Sequence, residues 1–457
     1  MLILKMWRAQ IPPSAVPAFQ RFVEMVTREL QPLLGPTREC QSRILSIDPG
    51  TISSSRSSSR SDYQTEPSPS CAEVFADGRA LYVATITERT SRRPRLGSRQ
   101  QAAPQPVEAY VTLSYIGTDE ESGRMVDLGA QATECFGAEL QPYYFLNKSF
   151  EDLRSEGREP PRNSSSEEIA GSSLLQDRYR RRLLSAIKAA GGLLVRDLES
   201  QLPPEAKERT AEIQMALRSA GLIESEIVVV CSRTQAQTAR VPSRDVLTRL
   251  SEEGLRCACG RAIADERNEE ALAVTELARG LLDKSRWLTL LLVVELERLG
   301  VPREHMLVEQ QLGGDEIDCL VSVSGETVLF ELKDKEFNLG NAYSFGAKIG
   351  ITRPDYSVII STEHVGQDAK DHFQRARIAE ERSSQYLAYD KRPAEVRYIE
   401  GVENLRDGIR SAISEIYSGD AARLLNQVLP LAFPNAATIL DSLQARPPLE
   451  RNDTAAG

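Results

Sequence analysis

The chain has 457 residues, 41% of them hydrophobic and 27% charged, with a formal net charge of −10. This balance excludes a disordered or fibrous polymer, and the length suits roughly two to four globular domains. No run of about eighteen apolar residues occurs, so no membrane span is expected; Met1-Leu2-Ile3-Leu4 is too short for a signal peptide, with Lys5 and Arg8 interrupting it. Seven cysteines at irregular spacing predict reduced thiols and a cytoplasmic protein rather than a disulfide framework. The acidic balance requires any nucleic-acid contact to come from a locally basic face. Arg outnumbers Lys 46 to 10, which fits a GC-rich genome.

Residues 1–150 read as a small α+β domain without a recognisable motif. Val16 to Leu30 predicts an amphipathic helix with Val16, Phe19, Phe22, Val23 and Val26 on one side. Residues 49–70, rich in Ser, Arg and Pro, predict a disordered loop. Val74 to Thr87 and Val107 to Ile116 predict strands, joined by an Arg- and Pro-rich loop from Ser91 to Pro106. Residues 151–176 predict a polar linker.

Residues 177–242 predict three helices and a hairpin. Asp177 to Ala190 forms the first helix, with Leu183, Leu184 and Ile187 inward; Leu194 to Leu202 the second; Glu205 to Ala220, ended by Gly221, the third. Glu226 to Cys231 and Ala236 to Val241 then predict the hairpin. The order resembles a winged helix-turn-helix. That resemblance implies a recognition helix exposing Lys207, Arg209, Gln214 and Arg218, either to a DNA groove or to a protein. In the connector 243–269, Cys257-Ala258-Cys259-Gly260 has the look of a zinc knuckle. Structural zinc needs four ligands, only Cys231 is nearby as a third, and no His lies between residues 231 and 304. Zinc is therefore not expected. His305, His364 and His372 are too scattered for a metal triad.

Residues 270–420 carry the chemistry. Residues 270–299 predict a long helix, Met306 to Gln311 a first strand, and Gly313-Gly314 a turn. A second strand around Leu320, Val321 and Val323 turns at Ser324-Gly325-Glu326 into a third, Thr327 to Lys333. A short helix from Asn341 to Ile349, a buried strand from Ser357 to Ser361 and a helix from Asp368 to Glu380 follow. A strand, a helical crossover and another strand indicate a mixed α/β sheet. Residues 421–457 predict a C-terminal helix and tail.

The hairpin brings Asp318 beside Glu331 and Lys333, which as positions i and i+2 of one strand share a face. Two close carboxylates repel, and a hard divalent cation would relieve them. The segment Gly314-Asp315-Glu316-Ile317-Asp318 followed by Glu331-Leu332-Lys333 resembles the core of the PD-(D/E)xK, or restriction-endonuclease-like, nuclease superfamily over roughly residues 270–400. The resemblance implies Asp318 and Glu331 as metal ligands, Lys333 as catalytic lysine, and Glu295, or less favourably Glu297, as an acid on the first core helix. Ile317 stands where the named motif has Pro. No Walker-type loop, nucleophile elbow or Gly-x-Gly-x-x-Gly is present.

The expectation is a multidomain α/β and α+β protein: an N-terminal α+β domain, a winged helix-turn-helix, and a restriction-endonuclease-like mixed sheet flanked by helices. Its expected function is Mg²⁺-dependent endonucleolytic hydrolysis of DNA, with Mn²⁺ able to substitute, in defence or repair. Two alternatives stand beside it: a non-catalytic DNA-binding regulator working through the winged helix, and an interaction subunit of a multi-component defence system. DNA is the expected partner, with partner proteins of such a system and a homodimer as further assemblies.

Overall fold

The computed structural model describes every residue except 34–68, 79, 90–107, 119–123, 146, 158–163, 385–395, 430–435 and 445–457. The expected loops at 49–70 and Ser91–Pro106 fall almost wholly outside the described residues, as does the expected tail beyond residue 444. Among the described residues the chain is mixed α/β, with three sheets. No helix among them is long and apolar enough to cross a membrane.

The first sheet is antiparallel, in the order β2-β3-β4-β5-β1-β6: β1 (Ile3–Ile11), β2 (Gln31–Pro32), β3 (Cys71–Asp77), β4 (Ala80–Arg89), β5 (Glu108–Gly117) and β6 (Gln141–Pro142). Its period-two alternation is apolar on both faces. Tyr82, Ala84 and Ile86 of β4 pack against α1 (Ala18–Val26) and α2 (Arg124–Phe136), while Leu81 and Val83 join the large central core.

The stretch expected as a linker is instead helical: α3 (Lys148–Glu156) and α4 (Ser166–Leu174). Asn147 caps α3 by accepting from the Phe150 N–H, and Ser165 with Glu168 closes a capping box on α4. Gly171 of α4 lies so close to the core that a Cβ there would stand 2.8 Å from Leu281 and 3.2 Å from Leu222.

The second sheet has the order β7-β10-β8-β9, from β7 (Leu193–Leu194), β8 (Ile223–Val230), β9 (Gln237–Val241) and β10 (Arg267–Val274). Helix α5 (Arg178–Ala190), capped by Asp177, buries Leu183, Leu184 and Ile187. The second expected helix is only two 3₁₀ turns, and the third is a 3₁₀ turn running into α6 (Thr210–Ser219). The expected hairpin is part of a larger sheet, because β10 pairs with β8 along its whole length. The long helix expected over 270–299 is thus corrected to β10, α8 (Glu276–Leu282) and α9 (Arg286–Arg298), and the expected boundary at 269/270 falls inside β10. Between β9 and β10 lies α7 (Arg244–Glu252).

The third sheet has the order β11-β12-β13-β14-β15: β11 (Met306–Leu312), β12 (Asp315–Val323), β13 (Glu326–Lys333), β14 (Tyr356–Ser361) and β15 (Val396–Glu400). Its first three strands are antiparallel and its last three parallel. Helices α10 (Leu339–Thr352) and α11 (Gln367–Ser384) make the crossovers. Leu320, Leu329 and Ile359 face Phe345 of α10 and Phe373 of α11; Val321, Val328, Phe330 and Val358 face α9 and α12 (Leu405–Val428). Helix α12 runs through the expected boundary at 420/421, and α13 (Ala436–Gln444) follows.

Candidate active site and a cysteine cluster

Strand pairing builds the first site. In β12 and β13, Cys319 faces Phe330 and Leu320 faces Leu329, a register that brings Asp318 and Glu331 to adjoining positions. The turn before β12 uses Gly313, at φ +58, where a side chain would also crowd Ile351 at 3.0 Å. Asp318 Oδ2 accepts from the Leu332 N–H (2.7 Å), which locks the acid to the neighbouring strand. Lys333 Nζ lies 2.8 Å from Glu331 Oε1. Asp318, Glu331 and Lys333 are therefore brought together.

A fourth member was missed. Lys348 of α10 places its ammonium 2.6 Å from Glu331 Oε2 and 3.6 Å from Asp318 Oδ1. Glu331 is 1% exposed and Lys348 7%. Glu331 lies on the strand face shared with Leu329, which α10 covers, so the helix can reach it. A readable signal existed: Ala342, Phe345, Lys348 and Thr352 form one buried helical stripe, and a lysine on such a stripe needs an anionic partner. Burial first, and Glu331 second, push the Asp318 carboxyl above its ordinary value, while Lys348 and the Leu332 N–H pull the other way. Burial lowers Lys333, but the Glu331 charge and hydrogen bond outweigh it and the net shift is upward.

Glu295 is not part of this group, which corrects the expectation. It sits on α9, against the opposite face of the sheet, where it pairs with Arg406 (3.3 Å) and Arg298 (3.5 Å). Glu297 lies on the same helix and is exposed. Glu309 of β11 stands across from Asp318 in register, its flanking residues pairing with Ile317 and Cys319, but its carboxylate turns to α9. It has a positive φ of 52°, pairs with Arg286 (3.0 Å), and has a buried Oε1 without a hydrogen-bond partner among the described residues.

The donor set suits a hard cation such as Mg²⁺, which takes one or two carboxylates and fills its remaining positions with water and phosphate oxygens. The point between Asp318 and Glu331 is held by the Lys348 ammonium, so an ion could enter only as that side chain moves aside.

The residues expected on a recognition helix are spread over a 3₁₀ turn and α6. Lys207 is exposed and Gln214 half-buried. Arg209 pairs with Asp177 and Glu212 (both 2.8 Å), and Arg218 with Glu270 (3.1 Å) and the Ser225 hydroxyl (2.6 Å).

The knuckle is more complete than the sequence indicated. Cys231, Cys257, Cys259 and Glu266 converge, with their donor atoms all within 4.8 Å of one another. Glu266 is the fourth donor whose apparent absence argued against zinc. No family model matches the chain, and no curated protein matches it.

Proposed function

We propose that this chain is a metal-dependent deoxyribonuclease whose reacting groups are Asp318, Glu331 and Lys333. The observation that carries this reading is their convergence at the end of the β12–β13 hairpin, where β13 is followed by a helical crossover to a parallel strand. That topology supports the likeness to the restriction-endonuclease-like fold. Asp318 and Glu331 would hold Mg²⁺ through their carboxylate oxygens. When bound, the ion supplies Lewis-acid polarisation of a phosphodiester and a more acidic water. Lys333, half-exposed and held by Glu331, would meet the reacting phosphate and stabilise its developing charge. Lys348 keeps the two carboxylates from repelling each other while no ion is present. The middle module, with its three helical segments and sheet, is the part we assign to DNA contact, through Lys207 and Gln214 more directly than through the internally paired Arg209 and Arg218.

One observation favours a second reading, a non-catalytic DNA-binding regulator. Two carboxylates and two lysines make a formally neutral cluster that satisfies itself without a metal. Nicking of supercoiled plasmid with Mg²⁺, with Mn²⁺ and with chelator decides between the two. The nuclease reading expects metal-dependent nicking that disappears in Asp318→Asn and in Lys333→Ala. Wild-type protein that nicks under none of these conditions, yet binds the plasmid, would establish the second reading.

A further inference from the structure

We infer that Cys231, Cys257, Cys259 and Glu266 form a structural zinc site separate from the Asp318 cluster. Four observations carry it. The first is donor chemistry: three thiols and one carboxylate converge, and thiolate-rich tetrahedral sites select Zn²⁺. In tetrahedral coordination, Zn–S bonds of about 2.3 Å place neighbouring sulfurs about 3.8 Å apart. Donors already within 4.8 Å need only a small contraction.

The second is local geometry. Cys257 and Cys259 sit on a tight turn closed by the Cys257 N–H to Arg261 O bond (2.9 Å) and the Gly260 N–H to Cys257 O bond (2.8 Å). Cys231 starts a second turn, in which the Thr234 N–H points at its Sγ (3.5 Å). Two turns aiming sulfurs at one point is the arrangement a metal knuckle needs, and turn amides directed at sulfur favour thiolate.

The third is the buried acid. Glu266 is 4% exposed, and among the described residues it forms no salt bridge with any Lys, Arg or His. Its Oε2 accepts from the Ser232 N–H (2.7 Å), and its Oε1 lies 2.8 Å from Cys259 Sγ. Both oxygens thus have hydrogen-bond donors while the charge itself lacks a counter-ion, and a divalent ion among the four donors would supply one.

The fourth is the small core that the cluster closes. The segment between β9 and β10 is held by Ile227, Val229, Val241, Leu247 and Ile263. A core of that size seldom holds a segment alone, and metal ligation is a common supplement. The ion would tie the end of β8 and the start of β10 to the Cys257 turn.

Full-length protein purified without chelator under reducing conditions should contain about one zinc per chain by elemental analysis. Cobalt exchanged into the site should show thiolate charge-transfer and tetrahedral ligand-field absorption. Cys257→Ser should lose the metal. If that variant does not fold, Glu266→Gln serves, because it keeps the three thiols: its zinc affinity, measured by chelator competition, should fall at least about tenfold below that of the wild type. Stripping zinc from the wild type should open residues 244–256 to trypsin. Three outcomes would each overturn the assignment. They are wild-type protein with well under one metal per chain, iron or copper in place of zinc, and a Cys231, Cys257 and Cys259 that react with a thiol reagent at the same rate with and without chelator.

Discussion

Replacing Lys348 by Met tests how the carboxylate pair is held. The substitution keeps most of the side-chain volume and removes the ammonium 2.6 Å from Glu331 and 3.6 Å from Asp318. Breaking a buried ion pair by removing one partner costs about 3–5 kcal/mol, because the other charge stays buried. Glu331 keeps Lys333 at 2.8 Å, which places the expected loss near the low end, at about 3 kcal/mol. Urea denaturation in chelator should show this as a lower midpoint at unchanged slope. The variant also leaves two carboxylates facing a vacated position. Mn²⁺ should therefore stabilise it more than the wild type, and a concentration of 100 times the dissociation constant returns about 2.7 kcal/mol. A variant as stable as wild type in chelator, and equally indifferent to Mn²⁺, would refute both the buried pairing and the metal-binding reading of Asp318 and Glu331.

The other end of β13 predicts a pH effect. Burial first, with the Glu326 charge adding to it and Arg423 opposing it at Asp420, lifts Asp420 and Asp355 each to about 7, against an ordinary 3.8. The folded chain then keeps protons that the unfolded chain has released, so this stability is full below about pH 4 and is lost as pH rises to about 7. Asp420→Asn should flatten that slope and raise stability at pH 8 by about 2–4 kcal/mol in denaturation curves; an unchanged slope would count against the buried acid as its cause. Gly171→Ala puts a methyl 2.8 Å from Leu281, and a loss of about 1–3 kcal/mol in the same assay is expected; a neutral result would mean that α4 can shift freely. The Arg209→Glu/Arg218→Glu double variant should change the slope of log affinity against log salt by less than about 1 in DNA titrations, since both guanidinium groups are already paired with acids; a change near 2 would show that they leave those acids for phosphate.

Local rules carried the third sheet. Gly313-Gly314, the alternation through Val323, and Ser324-Gly325 each specify chain direction within a few residues, so the convergence of Asp318, Glu331 and Lys333 was readable. Helix α5 was readable from its inward stripe and the Asp177 cap. Strand β10 was not, because Glu269 to Ala273 is built largely of helix formers and only its pairing with β8 makes it extended. Helix α4 did carry a local signal, the Ser165-x-x-Glu168 box, within a stretch whose polarity suggested a linker. Glu295 was misplaced because apolar periodicity shows that α9 packs on a sheet, but not on which face. Glu266 lies beyond any spacing rule, since its approach to the three cysteines depends on how β10 aligns with β8.

The placement of Asp334 argues against modules strung on linkers. It directly follows Lys333, and its carboxylate is held from three sides: by Arg181 of α5 (3.2 Å), by the Trp287 indole N–H of α9 (3.0 Å) and by the Thr362 hydroxyl (3.1 Å). Arg181 also stacks over the Trp287 ring, 4.7 Å from its centroid. The middle module thus grips the chain one residue past the candidate catalytic lysine. The apolar contacts repeat this, since Leu183 and Leu217 of that module share one continuous core with Leu288 of α9 and Ile409 of α12. An interface so apolar and so close to the site leaves little freedom for the module to swing independently. Changes at Arg181 should therefore reach Lys333 through Asp334 rather than through a hinge.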